Sequence, residues 1–157
     1  MQYPESVERF RAALRACAAV GEPIKLDENA HTAAAAAEGL GITKAQIANS
    51  LVFLANGDPV LVMSSGGHRV DTDKISAAFG GAEITKANAD DVRAATGYVI
   101  GGVSPVGLAT NMPTLVDIAL SEFDEVWSAG GHPAWVYRTT FDELVRMTGG
   151  TPAVVGE

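Results

Sequence analysis

Val7, Phe10, Leu14 and Cys17 recur at spacings of three and four residues, the repeat of an amphipathic helix. A helix is predicted from about Ser6 to Val20, with Gly21 as its stop. Ile24 to Asp27 reads as a short extended piece. Thr32 stands where a cap should be, ahead of the alanine run Ala33 to Ala37, and Gly39 and Gly41 close that helix. Thr43 and Gln46 have capping-box spacing, so another short helix is predicted there. The runs Leu51-Val52-Phe53-Leu54 and Val60-Leu61-Val62-Met63 flank Asn56-Gly57-Asp58. Asn-Gly between two apolar runs marks a β-hairpin, because its turn needs two residues with positive φ. Both runs are almost continuously apolar, so the hairpin is expected at the centre of a sheet covered on both faces.

The second half alternates in the same way. Asp71 is predicted to cap a helix from Thr72 to Phe79, and Asn88 one from Ala89 to about Thr96. Tyr98-Val99-Ile100, Thr114 to Ile118, Glu125 to Trp127 and Ala134 to Tyr137 read as strands. Thr140 and Glu143 form a second capping-box pair, opening a helix that stops at Gly149. The sum is an α+β domain with a sheet of several short strands, which the hairpin prevents from being wholly parallel.

Length and composition sharpen this. With 157 residues, no repeat, no linker and no charge block, one domain spanning residues 1–157 is expected. The 47% hydrophobic content excludes a disordered chain. The net charge of −8 disfavours a protein that tracks long nucleic acid, so no DNA partner is expected, while a local contact with an RNA end stays open. The lone Cys17 cannot form an internal disulfide, which fits a reducing compartment, and it lies on the apolar stripe as a small buried hydrophobe. The first six residues lack the pattern of a secretory signal, and no apolar run reaches the length of a membrane span, so a cytoplasmic location without membrane attachment is expected.

The segment richest in candidate chemistry is Gly97 to Gly107, with four glycines and a proline in eleven residues. Such a loop is either a tight structural turn or a row of exposed N–H groups able to hold an anion or polarise a carbonyl. It matches neither a Walker loop nor a dinucleotide fingerprint. His31, His68 and His132 lack the spacing of a helical metal site, so no metal or cofactor is expected. No Gly-x-Ser-x-Gly elbow supports a serine triad. Asp117 interrupts an apolar strand and needs a partner, either as a structural acceptor or as a pocket-lining one. His68 lies in Ser64 to Arg69, read as a turn after a core strand, where it is a solvated loop residue or a functional one. Trp127 and Trp135 read as core or sheet-face residues.

Several blocks, taken in order, resemble the YbaK family. They are Gln46-Ile47-x-x-Ser50-Leu51-Val52-Phe53, the Asn-Gly hairpin and His68-Arg69-Val70-Asp71. Then come Thr96-Gly97-Tyr98 through Gly101-Gly102-Val103-Ser104-Pro105-Val106-Gly107, followed by Pro113-Thr114-Leu115-Val116-Asp117 and Ala129-Gly130-Gly131. These are aminoacyl-tRNA deacylases, related to the editing insertion of bacterial prolyl-tRNA synthetases. The resemblance runs from about Ala30 to Gly150 and implies a curved, mostly antiparallel mixed sheet flanked by short helices.

It also implies a chemistry, hydrolysis of the ester between a wrong amino acid and the terminal adenosine of a tRNA, assisted by the substrate itself. The loop residues Gly101, Gly102 and Ser104 would hold the ester carbonyl. Asn49, His68, Arg69, Pro105, Asp117, Gly130 and Gly131 would line the binding site. The tRNA acceptor end is the implied partner, with an aminoacyl-tRNA synthetase as a further candidate. The family carries lysine where this chain has Asn49, and some relatives carry serine at the position of Ala129. A catalytically weak or inactive module, binding an aminoacyl or nucleotide ligand on the same fold, is the alternative.

Overall fold

The computed structural model describes residues 3–19, 21–27, 30 and 32–157. The Asn-Gly hairpin is its axis. Strand β2 (Ile47–Ala55) and strand β3 (Asp58–Ser65) pair antiparallel along their length, and Asn56 and Gly57 turn between them at φ 51° and 87°. Six further strands complete one sheet: β1 (Ile24–Lys25), β4 (Ile84–Lys86), β5 (Thr114–Asp117), β6 (Val126–Ala129), β7 (Trp135–Thr139) and β8 (Thr151–Ala153). Its order is β1-β7-β6-β2-β3-β5-β8, with β4 added to the outer half of β2. Four of the seven pairings are antiparallel; β2–β6, β3–β5 and β5–β8 are parallel. The mixed, mostly antiparallel sheet expected from the sequence is therefore present.

The near-continuous apolar runs of β2 and β3 supply two opposite faces, as side chains alternate along a strand. Leu61, Met63, Val52 and Val116 pack on one face under helix α4 (Ala89–Thr96) and helix α5 (Phe141–Thr148). Val60, Val62, Phe53 and Leu115 pack on the other, under Ile75 of helix α3 (Thr72–Ala78). Helix α1 (Glu5–Ala16) buries Phe10 and Leu14 against Tyr137 and Val106. Helix α2 (Ala33–Leu40) lays Ala36 and Ala37 on Ile47, with Trp127 beside them. The predicted caps form: Thr32, Asp71, Asn88 and Thr140 each accept from a backbone N–H in the first turn. Thr43 and Gln46 close a single 3₁₀ turn.

Several expectations are corrected. Tyr98-Val99-Ile100 is not a strand. Its backbone folds back on itself, the Tyr98 N–H donating to Thr96 Oγ1 and the Gly102 N–H to the Val99 carbonyl. Helix α1 ends at Ala16, where Ala18 takes a positive φ, and Val20 lies outside the described residues. Only Ile24 and Lys25 of the first extended piece pair, and Ile118 opens a 3₁₀ turn rather than ending β5. Ser64 and Ser65 belong to β3, not to the turn after it. The Glu143 carboxylate does not complete a capping box; it accepts from Tyr137 and Thr139 hydroxyls instead. Strands β4 and β8 have no counterpart among the predicted elements.

Candidate active site

The pairing of β2 leaves a gap. Strand β6 pairs only with Ile47 and Ala48, and β4 only with Phe53 to Ala55. Between them, no strand among the described residues pairs with residues 49–52 on that edge. A cleft of about 290 Å³ opens there, walled by α2 (Thr32, Ala33, Ala36), β6 (Trp127, Ser128, Ala129) and β7. The segment Ile100-Gly101 and Val103 closes it from the glycine-rich loop. No described residue lining the cleft carries an ionisable side chain. The polar groups of its lining residues are the hydroxyls of Thr32, Ser50 and Ser128, the Asn49 amide, the Trp127 and Trp135 indole N–H groups and main-chain atoms.

All three hydroxyls are already engaged. Thr32 caps α2, Ser50 donates to Met63 Sδ at 3.2 Å and Ser128 donates to the Ala129 carbonyl at 3.3 Å. The Asn49 side-chain amide has no hydrogen-bond partner among the described residues. It lies beside Gly66, close to where a Cβ on that residue would stand.

The loop explains its own glycines. Val99 and Gly102 close a turn by the Gly102 N–H donating to Val99 O at 2.9 Å, and Gly101 takes φ +91° inside it. A positive φ at the third residue is the type II pattern, which favours glycine. Gly102 is glycine for another reason: a Cβ there would stand 2.7 Å from the His132 Cα. The 101–102 turn and the 130–132 turn are thus pressed backbone to backbone. Gly101 is exposed, while residues 102–106 are buried. The N–H groups of Gly101 and Val103 have no partner among the described residues, and both residues line the cleft.

Residues 27–147 match the family model of the aminoacyl-tRNA editing domain. The chain belongs to that family. It is 33% identical over 108 residues to the uncharacterized protein YwhH of Bacillus subtilis, covering 68% of each chain. It is 28% identical over 120 residues to EbsC of Enterococcus faecalis, a candidate Cys-tRNA(Pro)/Cys-tRNA(Cys) deacylase, covering 76% of this chain and 73% of that one. A crystal structure described as a candidate trans-editing enzyme for prolyl tRNA synthetase superposes with a TM-score of 0.94 at 34% identity, covering 99% of both chains.

In this editing domain the residues singled out from the sequence fall into three groups. Asn49 and Gly101 line the cleft. Gly102, Gly130 and Gly131 stand behind its rim as close-approach glycines; a Cβ on Gly131 would meet Ser6 O at 2.7 Å. Ser104 and Pro105 are buried with them, and the Ser104 hydroxyl donates to Val106 O at 2.7 Å, the same carbonyl that takes the Tyr98 hydroxyl. Burial holds the Tyr98 phenol above its ordinary pKa, so it stays a hydrogen-bond donor.

The third group does not line the cleft. Asp117 is 1% exposed, and its Oδ2 accepts from His68 Nε2 at 2.6 Å and from Ser65 N at 2.9 Å. Its Oδ1 accepts from Ala119 N at 3.0 Å. Of the two readings of Asp117, the structural acceptor is the one its partners fill. Gly156 of the chain end packs on the His68 ring, and Arg69 is exposed beside it. His132 is exposed, with Nδ1 donating to Pro133 O, and His31 lies outside the described residues. Sequence reasoning missed Thr32, Ala33 and Ser128 as cleft residues; a cap, a helix former and a strand serine carry no signal of a cleft.

Proposed function

We propose that the chain is a stand-alone deacylase, acting as one domain over residues 1–157 in the cytoplasm, that hydrolyses the ester of a mischarged tRNA. One observation carries this reading. Two residues that line one uncharged cleft of an editing-domain fold carry hydrogen-bonding groups with no partner among the described residues, the Gly101 main-chain amide and the Asn49 side chain.

The chemistry follows from the groups present. The acyl carbonyl takes the N–H groups of Gly101 and Val103, which stabilise the negative charge that grows on its oxygen as a nucleophile adds. No described residue lining the cleft carries an imidazole or carboxylate, which suits the substrate-assisted route that the family resemblance implies, with the proton path through the substrate's vicinal ribose hydroxyl. Water adds to the acyl carbon and the bond from that carbon to the ribose oxygen breaks. The ribose oxygen takes up a proton, and the free amino acid and tRNA leave. Asn49 stands where the family's lysine would be. Its amide both donates and accepts, and it binds the acceptor end without a charge.

The name of EbsC and the description of the similar crystal structure make misacylated tRNA(Pro) the first substrate to try. The test is a panel of misacylated tRNAs incubated with the protein. Loss of the ester from at least one of them, at a rate above the spontaneous one, is expected. Binding of acylated acceptor ends with no turnover of any would instead make the protein a binding module.

A further inference from the structure

Helix α1 lies outside the matched residues 27–147, yet it backs both glycine turns that form the rim of the cleft. On one side, Ser6 O and Phe10 Cβ occupy the space a side chain on Gly131 would need. On the other, the Arg9 guanidinium lies 4.6 Å over the Tyr98 ring and donates from Nη2 to the Gly97 carbonyl at 2.5 Å. Gly97, at φ +78°, is the residue where α4 hands over to the loop. Tyr98 in turn donates to Val106 O at 2.8 Å, and a Cβ on Gly107 would run into its hydroxyl while meeting Ala13 and Arg9 O. One arginine thus fixes the entry of the loop through Gly97 and its exit through Tyr98 and Val106. Gly101 lies between these two anchors.

We propose that Arg9 is a positioning residue for the reaction, setting the direction of the Gly101 and Val103 amides from behind the loop. The mechanism is a stacked cation on an aromatic ring combined with one charged hydrogen bond, a pairing suited to a planar guanidinium. This role rests on those amides meeting the ester, so activity alone does not test it.

Arg11 provides an internal control. It lies on the same helix and makes the same kind of stack, 4.1 Å over Tyr3, and it pairs with Glu8 and Glu22, while no hydrogen bond, ion pair or ring contact among the described residues joins it to the loop. Arg9→Met, Arg9→Lys and Arg11→Met are compared by amide NMR and by steady-state deacylation. Arg9→Met is expected to shift the amide resonances of Gly101, Gly102 and Val103 and to speed hydrogen exchange at Gly102. It is also expected to lower kcat by about tenfold or more with KM held within about twofold, the pattern of misplacement rather than lost binding. Arg9→Lys, which keeps the charge but not the planar stack, should recover only part of both effects, and Arg11→Met should leave both unchanged.

Unmoved loop amides in Arg9→Met would overturn the proposal. So would an unchanged kcat alongside moved amides, or an equal loss in Arg11→Met, which would assign the effect to the helix as a whole. If no ester is turned over by the wild-type protein, the deacylase reading fails by itself, and the amide shifts still decide whether Arg9 sets the loop.

Discussion

His68 Nε2 and Asp117 Oδ2 stand 2.6 Å apart, and neither residue lines the cleft. The carboxylate also takes the N–H groups of Ser65 and Ala119, so it ties the end of β3 to the turn after β5. This arrangement is a joint in the frame. Asp117→Ala leaves buried donors without an acceptor and is expected to cost about 2–4 kcal/mol of stability. Asp117→Asn should cost less. In both, the deacylation rate per folded molecule is expected to stay within about threefold of wild type. Urea unfolding alongside single-turnover rates checks this. A rate collapse in a well-folded Asp117→Asn would move the pair into the chemistry.

The loop carries the opposite expectation. Gly101 has φ +91°, lines the cleft and has an amide with no partner among the described residues, so Gly101→Val both strains the turn and moves that N–H. A loss of about 10²-fold in single-turnover deacylation is expected, with binding of the acylated end weakened much less. Thermal melting establishes that the variant is folded. A rate equal to wild type would show that the amide is not used.

Asn49 is the position where this chain departs from its family's lysine. If the contact there is to the acceptor end, restoring charge strengthens it. Asn49→Lys is expected to raise kcat/KM by about tenfold, the value of converting a neutral hydrogen bond into a charged one. Asn49→Ala should lower it several-fold. An unchanged Asn49→Lys enzyme would remove this residue from substrate contact.

Much of this arrangement was legible beforehand, and what was legible was local. Asn56-Gly57 specified the hairpin through the two positive φ angles it adopts, and the caps at Thr32, Asp71, Asn88 and Thr140 lie next to the turns they close. The failures were non-local. Tyr98-Val99-Ile100 has the composition of a strand, but Arg9, 89 positions before Tyr98, and the carbonyl of Val106 fold it into a turn. Strands β4 and β8 are three residues each, too short for a period, and β8 has a proline at its centre. Of the site, Asn49 and Gly101 came through the resemblance. The cleft itself did not, because it arises from where two strands stop along β2.

The buried phenols set a pH dependence. Burial raises the pKa of Tyr98 and Tyr137, and the Glu143 hydrogen bond raises Tyr137 further. The folded state therefore keeps these protons where the unfolded chain gives them up. Their contribution is complete below the ordinary tyrosine pKa of about 10 and is lost as pH climbs from there toward each folded-state pKa, at no more than about 1.4 kcal/mol per pH unit for each. Denaturant unfolding between pH 9.5 and about 11.5 should show the fall, and Tyr98→Phe and Tyr137→Phe should each flatten it. Parallel slopes in wild type and both variants would contradict the assignment.

The most direct test of the main-chain site needs no mutation. A non-hydrolysable aminoacyl-adenosine, with an amide in place of the ester, is titrated into ¹⁵N-labelled protein. The largest shifts are expected at the Gly101 and Val103 N–H groups and the Asn49 side-chain NH₂, with His68, Ser65 and Ala119 unmoved. Shifts centred on His68 and Asp117, with Gly101 silent, would contradict the account.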